Sequence, residues 1–171
     1  MSGGSFNFEA EGQLATYLAW LIPWGKPVTL LAESPAQLAA PQRELVRVRI
    51  DRPAAAATGG PADWVREGEA PASFRRGSFA DLAGRGAEVV LDVRRASERV
   101  GGYVEGSVHI PVHTLHGLLD EVPEGEVWVH CAGGMCAAIA ASLLDASGRD
   151  VIAVDDSFEE AERAGLALRT P

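Results

Sequence analysis

The chain has 171 residues, 47% of them hydrophobic, with 15 Lys and Arg against 24 Asp and Glu and a formal net charge of −9. That length suits one domain or two small ones with a buried core. A surplus of negative charge without a basic patch excludes a general nucleic-acid binder, because a polyanion would be repelled.

The start, Met1-Ser2-Gly3-Gly4, has no basic segment leading into an apolar run, so no secretory signal is expected. The apolar stretch from Leu14 to Trp24 is too short to span a bilayer, and no membrane association is expected. Within it Leu14, Tyr17, Leu18 and Leu21 recur at helical spacing, which predicts an amphipathic helix packed on a core. Val28 to Leu31 reads as a short strand and Gln37 to Val48 as a helix. The stretch from Pro61 to Gly77, with its prolines, glycines and charges, reads as linking sequence.

Beyond it, strand-like and helix-like segments alternate. Glu88 to Val93, Gly106 to Ile110, Val127 to His130 and Val151 to Val154 are short runs rich in β-branched residues. Between and after them come a helix at Phe79 to Ala83 behind Ser78, a helical turn at Leu115 to Asp120, a helix at Ala137 to Ala146 and a last helix at Phe158 to Ala164. This pattern predicts an α/β fold with an open, mostly parallel sheet flanked by helices. Ligands in such folds bind beyond the carboxyl ends of the strands. Cys131 falls at such an end.

The first half overlays the second. Gly4-Ser5-Phe6-Asn7-Phe8 matches Gly106 to Ile110, Val28 to Leu31 matches the strand before Cys131, Gln37 to Val48 matches the helix after it, and Thr58 to Trp64 matches the segment from Asp155. An internal duplication with a period of about a hundred residues follows. Its first copy is partial and has Ala32, then Glu33 and Ser34, where the second has its cysteine. The expected organisation is a partial, cysteine-less repeat over 1–68, a linker over 69–77 and a complete domain over 78–171.

The chemistry concentrates at Cys131. Ala132, Gly133, Gly134, Met135, Cys136 and Ala137 follow it, small residues for the most part, so the backbone can curl round the sulfur with N–H groups pointing inward at the start of a helix. Such a cradle lowers a thiol pKa and makes the sulfur nucleophilic near neutral pH. Cys136 is the only other cysteine. Two cysteines this close together form a poor disulfide framework and fit a reducing cytoplasm, although a Cys131 to Cys136 bridge is open to the loop. His109, His113 and His116 lack metal-ligand spacing and read as ordinary strand-end and surface residues.

The second half resembles the rhodanese family, sulfurtransferases built around a persulfide-forming cysteine. The matching residues are Leu91-Asp92-Val93-Arg94, similar to the family's Asp-x-Arg signature; Glu98 with Gly102 through Pro111; Cys131 through Cys136, at the place of the active loop; and Phe158 through Leu166, similar to the closing helix. Segments such as Leu21 to Pro27 and Ile50 to Pro53 resemble the tandem rhodanese part of fusions with a metallo-β-lactamase-like domain, a group that includes persulfide dioxygenases. No His-x-His-x-Asp-His run is present, so no iron or zinc site is assigned here, and no cofactor is expected.

The resemblance implies that Cys131 takes sulfane sulfur from a donor such as thiosulfate or glutathione persulfide and passes it to a thiol or cyanide. The loop from Ala132 to Ala137 would hold the persulfide, with His130, Asp92 and Arg94 in support, the last two through hydrogen bonds. Implied partners are the donor, a thiol acceptor and a separate metallo-β-lactamase-like persulfide dioxygenase. The truncated first copy would leave a sheet edge or apolar face uncovered, so either tight docking onto the second domain or a homodimer is expected. The chain departs from the family where Cys136 replaces the loop arginine and Tyr103 the usual histidine, and near the end at Asp156-Ser157 and Ala161. Loss of the arginine weakens the case for thiosulfate. It favours the alternative of a non-catalytic redox or sulfide-responsive module using Cys131 and Cys136. A cysteine phosphatase is excluded, because Ala137 stands where its arginine is needed.

Overall fold

The computed structural model describes residues 6, 8, 13–22, 25–65 and 73–171. They form two compact units, the first ending at Ser73 and the second starting at Phe74 and also taking in Phe6.

The first unit runs α1 (Leu14–Leu21), β1 (Thr29–Ala32), α2 (Pro35–Arg47) and β2 (Ala55–Thr58). The stripe Leu14, Tyr17, Leu18 and Leu21 is buried, as its helical spacing predicts. Leu14 and Leu18 pack with Val28 and Leu45 into the unit's core. Ser34 and Pro35 start α2: the Ser34 N–H donates to Gln37 Oε1 at 3.1 Å, and proline at the first helical position gives up a donor that has no partner there. β1 and β2 pair in parallel, Thr29 opposite Ala55 through Ala32 opposite Thr58. Of the expected repeat, Gly4, Ser5 and Asn7 lie outside the described residues, as do Pro23 and Trp24 of the fusion-like segment and 66–72 of the linking sequence.

The second unit runs β3 (Arg75–Gly77), α3 (Phe79–Arg85), β4 (Val89–Asp92), α4 (Ala96–Arg99), β5 (Tyr103–Val104), β6 (Val108–His109), α5 (Val112–Leu115), β7 (Val127–His130), α6 (Met135–Ala146), β8 (Val151–Val154), α7 (Glu160–Arg163) and β9 (Leu168–Arg169). Five strands form one parallel sheet in the order β3-β8-β7-β4-β6, and β5 pairs with β9 in a separate antiparallel ribbon. Every residue of β7 and β8 is buried, which explains why both read as unbroken apolar runs. Phe79, Leu82, Trp128, Ile152, Val154 and Ala161 make the core between the sheet and α3 and α7. α6 packs on β7 and β8, with α5 beside it.

The parallel α/β sheet flanked by helices is the expected fold. One stretch differs: Arg75–Gly77, assigned to a linker, is the edge strand β3, paired with Ile152 to Val154. Gly77 lets that strand come close, since a Cβ there would lie 2.8 Å from the Trp128 ring. Two arginines and a glycine carry no apolar alternation, so the pairing is decided by the neighbouring strand rather than by local preference. Of the expected strand from Gly106 to Ile110 only Val108 and His109 pair.

Candidate active site

Cys131 is the first residue after β7 and is buried, with 4% of its surface exposed. The chain turns through Ala132 and Gly133 to Gly134, which precedes α6 and has φ +90, a conformation that favours glycine. A Cβ at Gly134 would also meet Asp155 Oδ1 at 2.8 Å. This turn aims the Gly134 N–H at Cys131 Sγ, 3.1 Å away. The Phe158 N–H donates to the Ala132 carbonyl at 2.9 Å and pins the turn to the segment after β8.

Cys131 is poised as a thiolate. The Cys136 thiol donates to its sulfur and is the largest influence; burial opposes ionisation; the amides of Gly133, Ala137 and Gly134 add further hydrogen bonds. Together they bring the thiol down to about 6. The N-terminus of the twelve-residue α6 faces the same point.

The helix begins at Met135, two residues before its expected start at Ala137. Met135, Cys136 and Ala137 therefore belong to its first turn, and the loop proper is Ala132 to Gly134. The sulfur-facing amides are those of residues 133, 134 and 137, while Ala132 contributes its carbonyl to the Phe158 contact.

Beneath the loop, Asp92 ends β4 opposite His130 of β7. Arg94 donates to Asp92 from Nε to Oδ1 at 2.9 Å, from Nη2 to Oδ2 at 2.7 Å and from its backbone N–H to Oδ1 at 3.1 Å. Arg94 Nη2 also reaches the Gly102 carbonyl at 2.9 Å, and Arg99 Nε lies 3.5 Å from Asp92 Oδ2. Burial pushes the Asp92 carboxyl up, yet the Arg94 hydrogen bonds and the nearby positive charges outweigh it, so it stays below its ordinary range. Asp92 and Arg94 are joined in a hydrogen-bonded clamp. At the family-histidine position, Tyr103 lies under the Arg99 guanidinium, 3.8 Å from the ring centre.

His130 is buried in an aromatic pocket. Its ring stacks on Phe158 at 5.5 Å and meets Phe79 edge-on at 5.4 Å. Burial pushes its pKa down to about 4, so it is neutral at pH 7 and serves as packing. His109 Nε2 pairs with the Arg94 carbonyl at 2.9 Å. Among the described residues no group of three or more His, Cys, Asp and Glu is arranged to hold a metal.

The closing helix, expected from Phe158, begins at Glu160, and Phe158 stands before it. Phe158 joins three parts of the site: its amide holds the loop, its ring stacks on His130, and the Arg94 guanidinium lies over that ring at 3.6 Å. No local signal marks this role, because all its partners are distant in sequence.

The model of the rhodanese-like domain matches residues 76–164, more than half of the chain, from within β3 to the end of α7. The chain belongs to the rhodanese-like family. Among solved structures it resembles a rhodanese-related protein of Thermoplasma volcanium at 26% identity and a TM-score of 0.54, covering 57% of this chain and 100% of that one. A rhodanese-like domain protein of Staphylococcus aureus matches at 24% identity and a TM-score of 0.50 over 57% of this chain and 100% of that one. A rhodanese-like domain from Anabaena matches at 19% and 0.51 over 58% and 81%; these last two likenesses speak for the fold alone. No match to a curated protein was found. Rhodanese-like membership supports a sulfur-related role in general; relatives are often sulfurtransferases, and many are non-catalytic.

Proposed function

We propose that this protein carries sulfane sulfur as a persulfide on Cys131. The observation that supports it best is the sulfur itself, held by the Gly134 amide at 3.1 Å and by the Cys136 thiol, and lowered to about 6. At neutral pH the thiolate attacks the outer sulfur of a persulfide donor R–S–SH. The S–S bond of the donor breaks, R–S⁻ leaves, and Cys131–S–SH remains in the amide cradle. A thiol or cyanide acceptor then takes the outer sulfur and restores the thiolate. With thiosulfate as donor the leaving group is sulfite.

The first unit fits a partial, inactive copy of the same β-α-β arrangement. Its helix starts at Pro35, closer behind Ala32 than Met135 is behind Cys131, and Pro35 has no N–H to offer. In this reading the donor is supplied from outside the chain, by glutathione persulfide chemistry or by a separate metallo-β-lactamase-like persulfide dioxygenase, and two copies associate as a homodimer.

Mass spectrometry after treatment with glutathione persulfide or thiosulfate tests the proposal: one added sulfur atom on Cys131 is expected. Failure with both donors on folded protein would overturn it. A second reading, a redox or sulfide-responsive module with little turnover, draws on the Cys136 thiol at the sulfur and the absence of an arginine there. Reversible disulfide formation without sulfur transfer would favour it.

A further inference from the structure

We propose that Cys136 discharges the Cys131 persulfide from within the site, releasing hydrogen sulfide and leaving a Cys131 to Cys136 disulfide. The inference rests on the persulfide reading above and adds a reaction to it. Cys131 stands just before the turn and Cys136 is the second residue of α6, so the turn folds the chain back and brings one thiol onto the other. The Gly134 N–H holds Cys131 Sγ at 3.1 Å over the first turn of α6, the turn that carries Cys136, and the two side chains are within hydrogen-bonding reach of each other. Neither cysteine is in a disulfide, Cys131 is buried and Cys136 is half-buried. An outside thiol must reach a residue that is only 4% exposed, whereas Cys136 is in the adjoining first turn of α6. Prior contact of this kind raises the effective concentration of an attacking group by many orders of magnitude.

The step balances without an added oxidant. Cys136 sulfur attacks Cys131 Sγ, and the bond from Sγ to the outer sulfur breaks. The electron pair leaves on the outer sulfur, which takes the Cys136 proton: Cys131–S–SH and Cys136–SH become Cys131–S–S–Cys136 and H₂S. The outer sulfur is reduced to sulfide and the Cys136 sulfur is oxidised, while Cys131 Sγ, already at the disulfide level in the persulfide, keeps its oxidation state. Two equivalents of an external thiol then reopen the bridge by exchange, ending as an external disulfide. Over one cycle the protein consumes a persulfide and two thiols and delivers hydrogen sulfide. Its chemistry thus sits between a reaction that makes persulfides and one that consumes sulfide.

The test uses the full chain and the Cys136→Ser variant, whose hydroxyl still donates a hydrogen bond but cannot form a disulfide. Both are loaded with glutathione persulfide, desalted and followed by intact mass and by sulfide release. The wild type is expected to lose its added sulfur, release one equivalent of sulfide and end two hydrogens lighter than the reduced protein, with Cys131 and Cys136 linked in one peptide. The variant is expected to keep its sulfur longer, by roughly tenfold or more. Equal lifetimes, or an added sulfur that moves onto Cys136, would overturn the discharge while leaving the carrier role standing. If neither protein takes up sulfur, the carrier reading falls and this one with it. Disulfide mapping on the wild type alone decides the matter if the variant does not fold.

Discussion

Arg94 grips Asp92 through two parallel hydrogen bonds, Nε to Oδ1 at 2.9 Å and Nη2 to Oδ2 at 2.7 Å, between residues 4% and 0% exposed. The pair closes the carboxyl end of β4 beside the strand that presents Cys131. Asp92→Ala leaves the Arg94 guanidinium buried without its counter-ion and removes a partner of Arg99. A loss of about 3–5 kcal/mol in unfolding free energy is expected, measured by urea denaturation. A loss below about 1 kcal/mol would mean that solvent reaches the clamp.

Alkylation of Cys131 is expected to follow its thiolate. The rate, read by peptide mass spectrometry, should reach half its maximum near pH 6 and plateau above. Cys136→Ala removes the largest stabilising contact, so the midpoint should move upward. An unmoved midpoint would show that the amides alone hold the charge.

Cys136→Arg is expected to raise thiosulfate use. The site has amides and a helix N-terminus for a dianion but no guanidinium at that position, and a charge-assisted hydrogen bond contributes roughly 1.5–3 kcal/mol. Thiosulfate to cyanide turnover should increase by about tenfold or more, and sulfide release from the persulfide should cease. Unchanged thiosulfate turnover in a folded variant would argue that the missing cation is not what limits this donor.

His130 makes stability depend on acid. Its pKa is lowered from 6.5 to about 4 in the folded protein, so above pH 6.5 it is neutral in both states and costs nothing. As pH falls through 6.5 the unfolded chain takes up a proton that the folded one refuses until about 4, and stability is lost across that window. The full loss is on the order of 3 kcal/mol. In His130→Phe this part of the pH dependence should vanish between pH 6.5 and 4 while Cys131 still takes up sulfur. Loss of uptake with the fold retained would give the imidazole a role beyond packing.

The α/β class, the positions of β7 and β8, the buried face of α1 and the place of Cys131 were all legible in the sequence. Each depends on signals a few residues long: unbroken apolar runs, helical spacing, and a thiol followed by glycines. The edge strand β3 was not legible, because Arg75, Arg76 and Gly77 have no strand character of their own and are held by Ile152 to Val154. The start of α6 at Met135 was hidden too, since the Gly134 turn that opens the helix lies against Asp155, which leaves no room for a Cβ, and the loop is held by Phe158, both in the segment after β8. Sequence spacing could place two thiols near each other, but only the tertiary structure decides that one donates to the other. Local patterns determine which elements form and where a nucleophile stands. The folded sheet brings its end together with α6 and the segment after β8, and that meeting decides which groups face the sulfur and how charged it is.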